Sequence, residues 1–280
     1  IQYQLLERAK ANKKHIVLPE GDDDRILKAA HIILREGFAD LTILGDPDTI
    51  RTRAQQLGLD LSAATLLDPT HYEGLDEFVE TYYELRKHKG ISMDDARQKL
   101  QDISYFATMM VHLGKADGMV SGAAHTTAHT IRPSFEIIKT KPGVSTVSSI
   151  FLMCLQDHVL AFGDCAVNID PNPTQLADIA VSSAEPARQI GVEPRGALLS
   201  YSTGTSGSGA AVDKVRDAVT LAKENGMAYP IDGRIQFDAA VDATVAAAKA
   251  PDSPVAGRAT VLVFADSNTR IRTCEAGTRP

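Results

Sequence analysis

The chain has 280 residues, of which 44% are hydrophobic and 23% are charged, as in an ordinary globular protein. Its length allows a large core and more than one domain, because single hydrophobic cores stop growing near this size. The formal net charge of -7 argues against wholesale nucleic-acid binding, which needs a basic footprint, but it leaves room for a local basic pocket. No stretch approaches the roughly 18 to 20 apolar residues that would span a membrane, and the polar, basic start does not indicate a signal peptide. We therefore expect a soluble, cytoplasmic protein.

The cysteines support the same location. Cys154, Cys165 and Cys274 are an odd number without paired spacing. This argues against a disulfide framework and for a reducing compartment. Their spacing matches no metal motif, and Cys154 lies in an apolar run, so we expect it to be buried as a small hydrophobic residue.

Strand-like and helix-like segments alternate along the chain. Short apolar runs predict strands at residues 15–19, 41–44, 118–121, 144–155, 159–162, 196–201 and 259–264. Apolar residues at helical spacing, with capping signals, predict helices at residues 23–35, 49–57, 78–88, 93–100, 105–113, 174–190, 212–225 and 239–248. The dipeptide Asp232-Gly233 predicts a turn.

This alternation predicts an α/β fold with mainly parallel sheets, built from βαβ units. The string K-T-K-P-G at residues 139–143 is the best linker candidate. We expect two α/β domains, residues 1–143 and 144–280, with a cleft between them as the default ligand site.

Residues 200–209 read S-Y-S-T-G-T-S-G-S-G, between a predicted strand and a predicted helix. Glycines let the backbone approach an anion, hydroxyl groups add donors, and a helix N-terminus adds positive potential. Phosphate is the natural ligand for such a loop, although the string matches neither a nucleoside triphosphate loop nor a dinucleotide fingerprint. The alternative is a flexible connection without a ligand.

Residues 121–133 read S-G-A-A-H-T-T-A-H-T-I-R-P and follow a predicted strand. They should therefore lie at the carboxyl edge of a sheet, where open α/β folds bind ligands. Thr127 offers a hydroxyl group and Arg132 a bidentate donor fork. His125 and His129 have the i, i+4 spacing of a zinc pair, but no glutamate neighbours His125 and no third ligand is evident. Capping or ordinary polar contacts are the better interpretation of these histidines, and we expect no metal.

Two other charged strings are compatible with either a structural role at a helix end or a role in ligand binding. L-R-K-H-K-G at residues 85–90 places basic side chains at a helix C-terminus, where the helix dipole alone favours them. It could equally meet the phosphates of a large anionic ligand. P-E-G-D-D-D-R at residues 19–25 places acidic residues in the first turn of a helix, and its Arg25 could point back toward a ligand.

Taken together, the chain resembles the phosphate acetyltransferase (phosphotransacetylase) family. The matching strings, in order from about residue 16 to residue 264, are I-V-L-P-E-G-D, Y-E-L-R-K-H-K-G, D-G-M-V-S-G-A-A-H-T-T-A-H-T-I-R-P, G-D-C-A-V-N, L-S-Y-S-T-G-T-S-G, I-D-G-R-I-Q-F-D-A-A and K-A-P-D-S-P-V-A-G-R-A. The resemblance implies a reversible reaction in which acetyl-CoA and phosphate give acetyl phosphate and CoA. It also implies a two-domain fold like that of isocitrate and isopropylmalate dehydrogenases, a homodimer, and an active site in the interdomain cleft.

The resemblance also implies roles for individual residues. It gives Arg86 and Arg132 roles in binding CoA and substrate, and places Arg25 near the CoA. The residues assigned to phosphate or acetyl phosphate are Thr127, Ser202, Thr203, Gly204 and Thr205. CoA and acetyl-CoA then act as substrates, without a covalently bound cofactor. Such chemistry needs a base for the thiol, donors for the developing oxyanion, and cations for the departing phosphate.

The resemblance weakens at the end of the chain. Where family members read D-L-N-T-G-N and continue with Y-K-A-V-Q-R, this chain reads D-S-N-T-R-I-R-T-C-E-A-G-T-R-P. Thr269, Thr273, Ala276 and Arg279 fit the family pattern. The positions that do not fit are Arg270, Ile271, Arg272, Cys274 and Gly277.

The family's N-D-L-S-R-G motif and the aspartate that follows it are not found in these 280 residues. In the family that serine, arginine and aspartate are catalytic residues, so the catalytic residues of this chain stay unassigned. We expect the chain by itself to have little or no acetyl-transfer activity, and its shortened core to be less stable.

Two alternatives remain open. A phosphate butyryltransferase would use a longer acyl group and is separated by comparing acetyl-CoA with butyryl-CoA. The non-catalytic acetyl-CoA-binding domain appended to malic enzymes also resembles this family. Binding of CoA without catalysis would favour that domain.

Overall fold

The computed structural model describes residues 2–142, 144–269 and 273. It divides into two compact units, one ending at Lys139 and one beginning at Thr140. Gly143, where the sequence places the boundary, lies outside the described residues, so the bounds 1–143 and 144–280 stay a prediction. In the part of the chain that the structure describes, no helix has both the length and the apolar character needed to cross a bilayer.

Unit 1 contains one sheet and seven α-helices among its described residues. Its strands are β1 (Lys14–Leu18), β2 (Ala39–Leu44), β3 (Thr65–Leu67) and β4 (Gly118–Met119). Its helices are α1 (Gln2–Ala11), α2 (Asp24–Glu36), α3 (Pro47–Gln56), α4 (Leu75–Arg86), α5 (Met93–Lys99), α6 (Ile103–His112) and α7 (Thr127–Ile137), with short 3-10 turns at Pro69–His71 and Lys87–Lys89.

The strands of unit 1 are parallel and lie in the order β3-β2-β1-β4. Successive side chains of a strand face opposite sides of its sheet. Val17 accordingly packs in one apolar cluster with Phe78 and Phe106, while Leu18 packs in another with Leu27. Both faces of the sheet are therefore covered by helices, which explains the continuous apolar strands. The chain turns to opposite sides after β1 and β4, so the loops that follow these strands open the edge where ligands bind in such folds.

Unit 2 has a five-stranded sheet. Its strands are β5 (Ile150–Cys154), β6 (Val159–Gly163), β7 (Gly196–Leu199), β8 (Ile231–Ile235) and β9 (Val261–Val263). Its helices are α8 (Pro173–Gln189), α9 (Ala210–Glu224), α10 (Phe237–Val241) and α11 (Ala243–Lys249).

The sheet of unit 2 has the order β5-β6-β9-β7-β8, and only β5 runs antiparallel to its neighbour. Leu198 packs with α8 and α9 on one face, and Leu199 packs with α10 on the other. The predicted α/β fold with mainly parallel sheets is confirmed in both units.

Capping residues determine where several helices begin or end. The Asp23 side chain accepts the backbone N–H of Arg25 and begins α2. Asn172 and Gln175 form a reciprocal capping box that begins α8. Gly90, in the left-handed conformation at φ 78°, ends the turn after α4. Each of these signals is local, which is why the sequence predicts these ends within a few residues.

The predicted strand at residues 144–155 is wrong in its first half, since β5 begins only at Ile150. Hydroxyl groups divert the earlier residues from strand pairing. Ser145 and Thr146 donate to Asp178, and Ser149 donates to Asp164 from both its backbone N–H and its hydroxyl group. Side chains of this kind compete with ladder hydrogen bonds.

Two other predictions around β8 are also wrong. The dipeptide Asp232-Gly233 lies inside β8, paired with β7, and a shift of register follows at Leu198/Leu199, beside Arg234 at φ 56°. The predicted helix at 239–248 is two helices, because Asp242 accepts the backbone N–H groups of Thr244 and Val245 and starts a new one. The sequence also missed α1, β3 and the helix α7.

Cys154 corrects the expectation of a buried thiol. It is exposed, on the antiparallel strand β5 at the edge of the sheet, whereas Cys165 is buried. An edge strand leaves part of its apolar run facing outward, which periodicity alone does not reveal.

Candidate functional site

Arg86 and Arg132 meet at a single carboxylate in unit 1. The Nε of Arg132 donates to Oε1 of Glu136 at 3.2 Å, and the Nε of Arg86 lies 4.0 Å from Oε2. The hydroxyl group of Tyr82 donates to the same Oε2 at 2.8 Å. One half-buried acid thus joins the end of α4 to α7.

Helical spacing produces this arrangement. Tyr82 and Arg86 lie four residues apart on α4, and Arg132 and Glu136 lie four apart on α7, so each pair shares a helix face. Burial acts to raise the pKa of Glu136, but hydrogen bonds from Tyr82 and Arg132 outweigh it and keep the pKa below its ordinary value. Glu136 is therefore ionised at neutral pH.

The two arginines line an open groove, here called the arginine groove. Its lining residues are Tyr82, Arg86, Ile91, Asp95, Lys99, Arg132 and Glu136. Three cations face two carboxylates in this set, which leaves a net charge of +1. The ammonium group of Lys99 lies 4.5 Å from the ring centroid of Tyr105. A groove of this kind can take an anion while keeping its own cations paired.

A second carboxylate, Glu20, fills the loop between β4 and α7. Glu20 is fully buried and accepts the backbone N–H groups of Gly122, Ala123, Ala124 and His125 at 2.8–3.0 Å. Burial opposes its ionisation, yet these hydrogen bonds and one from the His125 side chain lower its pKa to about 2. The cradle of N–H groups that would hold a phosphate in this loop is therefore already occupied by the chain's own acid.

His125 in this loop and His129 in the first turn of α7 have polar partners, as the sequence suggested. Nδ1 of His125 lies 2.8 Å from Oε1 of Glu20, and Nε2 of His129 lies 2.8 Å from Oδ2 of Asp102. The two rings stack with centroids 4.5 Å apart. In the described ranges, no group of three histidine, cysteine or acidic side chains is arranged to hold a metal ion.

Arg25 lies beside the same loop but does not line the arginine groove. It donates to both carboxylate oxygens of Asp23 and to the carbonyl oxygen of Ala123. The hydrogen bonds from the side chain and the backbone of Arg25 lower the pKa of Asp23 to about 2. The side chain remains 68% exposed, so its outer face is open to a ligand.

Thr127 is the first residue of α7 and is exposed. The preceding Thr126 caps the helix by accepting the backbone N–H of His129. The hydroxyl group of Thr127 therefore stands at the positive end of a helix whose cap is already made.

The hydroxyl-rich loop of unit 2 connects β7 to α9, as predicted. Two of its expected phosphate donors have internal partners. The hydroxyl group of Thr203 bonds with the side chain and backbone of Gln236, and the N–H of Gly204 donates to the carbonyl oxygen of Arg234. These residues shape the loop.

Ser202 and Thr205 differ from their neighbours. The Ser202 side chain is buried, and its hydroxyl group has no hydrogen-bond partner among the described residues. Thr205 is exposed on the loop. A buried hydroxyl without a partner carries a desolvation cost, and a bound anion would remove it.

A third acid organises the string G-D-C-A-V-N after β6. Buried Asp164 accepts hydrogen bonds from Ser149, from the backbone of Val167 and from Asn168. Burial acts against ionisation, but these bonds lower its pKa. Sγ of Cys165 lies 3.0 Å from Oγ of Ser149, so the thiol is tied into the same cluster.

The sequence missed Glu136, Tyr82 and Glu20. The first two carry a signal, since each lies one helical turn from a predicted arginine. Glu20 carries none beyond its place after a strand, because its partners are backbone groups about 100 residues away.

Comparisons with known proteins agree with this picture. A family model described as phosphate acetyl/butaryl transferase matches residues 1–273. The phosphate acetyltransferase of Corynebacterium glutamicum is 58% identical over 262 residues, which cover 94% of this chain and 80% of that protein. A crystal structure of a phosphotransacetylase from Streptococcus pyogenes matches with a TM-score of 0.93 at 42% identity, covering 98% of this chain and 84% of that one.

Some relatives are much longer. The phosphate acetyltransferase of Nitratidesulfovibrio vulgaris is 55% identical over 275 residues, which cover 98% of this chain but 39% of that protein. The family match nevertheless extends over nearly the whole chain. The chain therefore belongs to the phosphate acetyl/butaryl transferase family.

Proposed function

We propose that the chain acts as a phosphate acetyltransferase, which reversibly converts acetyl-CoA and phosphate into acetyl phosphate and CoA. The observation that carries the proposal is the pair of guanidinium groups, Arg86 and Arg132, gathered at Glu136 in an open groove. Guanidinium forks bind phosphate groups in bidentate fashion, and CoA is rich in phosphate. Family membership supports acyl transfer as the reaction.

In this proposal the arginine groove binds CoA through Arg86 and Arg132. Glu136 holds the Nε side of Arg132 and stands beside that of Arg86, so their outer nitrogens remain for the ligand. Arg25 contributes from its exposed outer face near the loop that precedes α7.

Phosphate or acetyl phosphate binds to the hydroxyl-rich loop of unit 2. In unit 1, Thr127 is a further candidate donor to phosphate. Ser202 and Thr205 make the direct contacts, because Thr203 and Gly204 are already engaged within the protein. The N-terminus of α9, which follows this loop, adds positive potential.

The chemistry requires no redox step. The thiol of CoA loses its proton to a base, and the thiolate sulfur attacks the carbonyl carbon of acetyl phosphate. A carbon–sulfur bond forms, negative charge develops on the carbonyl oxygen, and the carbon–oxygen bond to phosphate breaks as phosphate leaves. We assign no catalytic base among these 280 residues.

The finer predictions about assembly and location belong to the same proposal. We propose a homodimer that uses the edge strand β5, where Phe151 and Leu152 are exposed, together with the exposed Leu155 directly after it. An apolar edge strand needs a cover to avoid aggregation, and a second copy provides one. The exposed Cys154 on the same strand supports a cytoplasmic location, where thiols stay reduced.

The test combines binding with turnover. Calorimetric titration of the purified chain with CoA should show saturable binding. The binding of acetyl phosphate should weaken when the loop that contains Ser202 is altered. A coupled thiol-release assay with acetyl-CoA and phosphate then measures turnover, with the phosphate acetyltransferase of Corynebacterium glutamicum as the reference.

Faster turnover of butyryl-CoA than of acetyl-CoA would make the enzyme a butyryltransferase. A protein that binds CoA without turning over either thioester would refute the proposal in favour of a binding domain.

A further inference from the structure

Glu136 poses a problem for an anion-binding groove. A carboxylate beside Arg86 and Arg132 repels an incoming phosphate and competes with it for the guanidinium groups. Bulk electrostatics alone would favour a neutral residue at this position. The contacts of Glu136 explain why an acid can nevertheless help binding.

The carboxylate is held in place from α4. Tyr82 is 4% exposed, its hydroxyl group donates to Oε2 of Glu136 at 2.8 Å, and its ring meets that of Tyr105 edge to face at 5.9 Å. Burial and the neighbouring Glu136 raise the pKa of Tyr82, so the phenol remains a donor. The acid is therefore fixed relative to α4, although its own backbone belongs to α7.

The arginines are fixed in turn by the acid. Arg132 is 70% exposed and has a long, flexible side chain, but its Nε is engaged by Glu136. The side chain of Arg86 is 22% exposed and lies across the same carboxylate. Without that negative charge, two neighbouring guanidinium groups would repel one another and separate.

We propose that Glu136, held by Tyr82, is a positioning residue that sets the spacing of the Arg86 and Arg132 guanidinium groups for phosphate recognition. This inference rests on the proposed function, in which those two arginines bind CoA. Preorganisation of the donors outweighs the repulsion between the acid and the ligand. Loss of the negative charge should then weaken CoA binding, which is the opposite of what charge alone predicts.

The test is the affinity for CoA, measured by calorimetry well below the unfolding temperature. Glu136→Gln should weaken binding about tenfold, the loss expected when one charge-assisted hydrogen bond to the ligand is misplaced. Tyr82→Phe keeps the acid but removes its tether, and it should weaken binding about threefold, since one neutral hydrogen bond is lost. If Glu136→Gln does not fold, Tyr82→Phe decides the question alone.

Glu84→Gln is the matched control. It removes one negative charge from α4, where Glu84 is 61% exposed and pairs with Lys87. Because Glu84 lies two residues before Arg86, the two side chains do not share a helix face. The affinity of Glu84→Gln for CoA should equal or slightly exceed that of the unchanged chain. Equal or tighter binding by Glu136→Gln, or unchanged binding by a folded Tyr82→Phe, would overturn the inference while leaving the proposed function standing. Absence of CoA binding by the unchanged chain would overturn both.

Discussion

Glu20 and His125 are joined by a hydrogen bond of 2.8 Å between Oε1 and Nδ1, inside a loop whose backbone N–H groups converge on the same carboxylate. The acid comes from the end of β1, and its partners come from the loop after β4. Because these loops open toward the ligand edge of the sheet, Glu20 determines the path by which the chain enters α7. The placement of Thr127 and Arg132 thus depends on a residue that need not touch a ligand.

This relationship predicts a pH-dependent contribution to stability. The pKa of Glu20 falls from 4.5 to about 2 on folding. At about 1.4 kcal/mol for each pH unit of that difference, ionised Glu20 stabilises the folded state by about 3 kcal/mol at neutral pH. Because the folded pKa is the lower one, this contribution is complete above pH 4.5 and is lost as the pH falls toward 2.

Glu20→Gln should therefore lower the free energy of unfolding at pH 7 by about 3 kcal/mol, measured in urea. The gap between variant and parent should shrink as the pH is lowered from 5 to 3. Glu36→Gln, which changes a 40% exposed acid on α2, is the control and should show neither effect. A gap that stays constant with pH would contradict the assignment.

The hydroxyl-rich loop predicts opposite effects for two neighbouring residues. Ser202→Ala removes a buried hydroxyl group without a partner in the described chain, so the melting temperature should hold or rise while acetyl phosphate binds more weakly. Thr203→Val breaks the contacts with Gln236 and should cost about 1–2 kcal/mol of stability. Thermal unfolding with and without acetyl phosphate distinguishes the two variants. Equal destabilisation by Ser202→Ala and Thr203→Val would refute a ligand-binding role for Ser202 and a structural role for Thr203.

The thiols should react at different rates. In protein diluted to the monomer, so that no second copy covers β5, exposed Cys154 should be alkylated quickly by iodoacetamide and buried Cys165 slowly, as followed by peptide mass spectrometry. Asp164→Asn should accelerate the alkylation of Cys165, because the carboxylate of Asp164 holds the loop around the thiol. The control variant Asp157→Asn changes a carboxylate that is 82% exposed, and it should leave the alkylation rate of Cys165 unchanged. Equal rates for Cys154 and Cys165 in the monomer would contradict the described packing.

The proposed dimer depends on β5. Phe151→Lys places a charge on the exposed face of the edge strand and should convert dimers into monomers, as measured by light scattering after size exclusion. Phe135→Lys changes an equally exposed phenylalanine of unit 1 and should leave the dimer intact. A dimer that survives Phe151→Lys would exclude β5 as the interface.

The sequence predicts those features that depend on local signals. Caps such as Asp23 and Asn172 predict where helices begin, and apolar runs predict the buried strands. The strings shared with the family predict that Arg86 and Arg132 bind CoA and substrate. The expected cleft between domains, the dimer and the roles of the site residues remain predictions, and the departures at residues 270–272, 274 and 277 lie outside the described residues.

What the sequence cannot predict depends on distant partners. Ser149 lies inside the strand predicted at residues 144–155 but bonds to Asp164, fifteen residues later, and so delays β5. In the sequence, Glu20 is one acid among several. In the structure, four backbone N–H groups from another loop donate to it. Local propensity loses to such tertiary hydrogen bonds because each satisfies buried polar groups that otherwise carry a desolvation cost.

The most direct measurement of the central claim is the affinity of Arg132→Gln for CoA. Arg132 is 70% exposed, so the variant should fold with an unchanged melting temperature and bind CoA at least about tenfold more weakly, because one charge-assisted contact with phosphate is lost. Arg51→Gln, at a similarly exposed arginine on α3, should bind CoA normally. If Arg132→Gln bound CoA as tightly as the unchanged chain, the arginine groove would not be the CoA site.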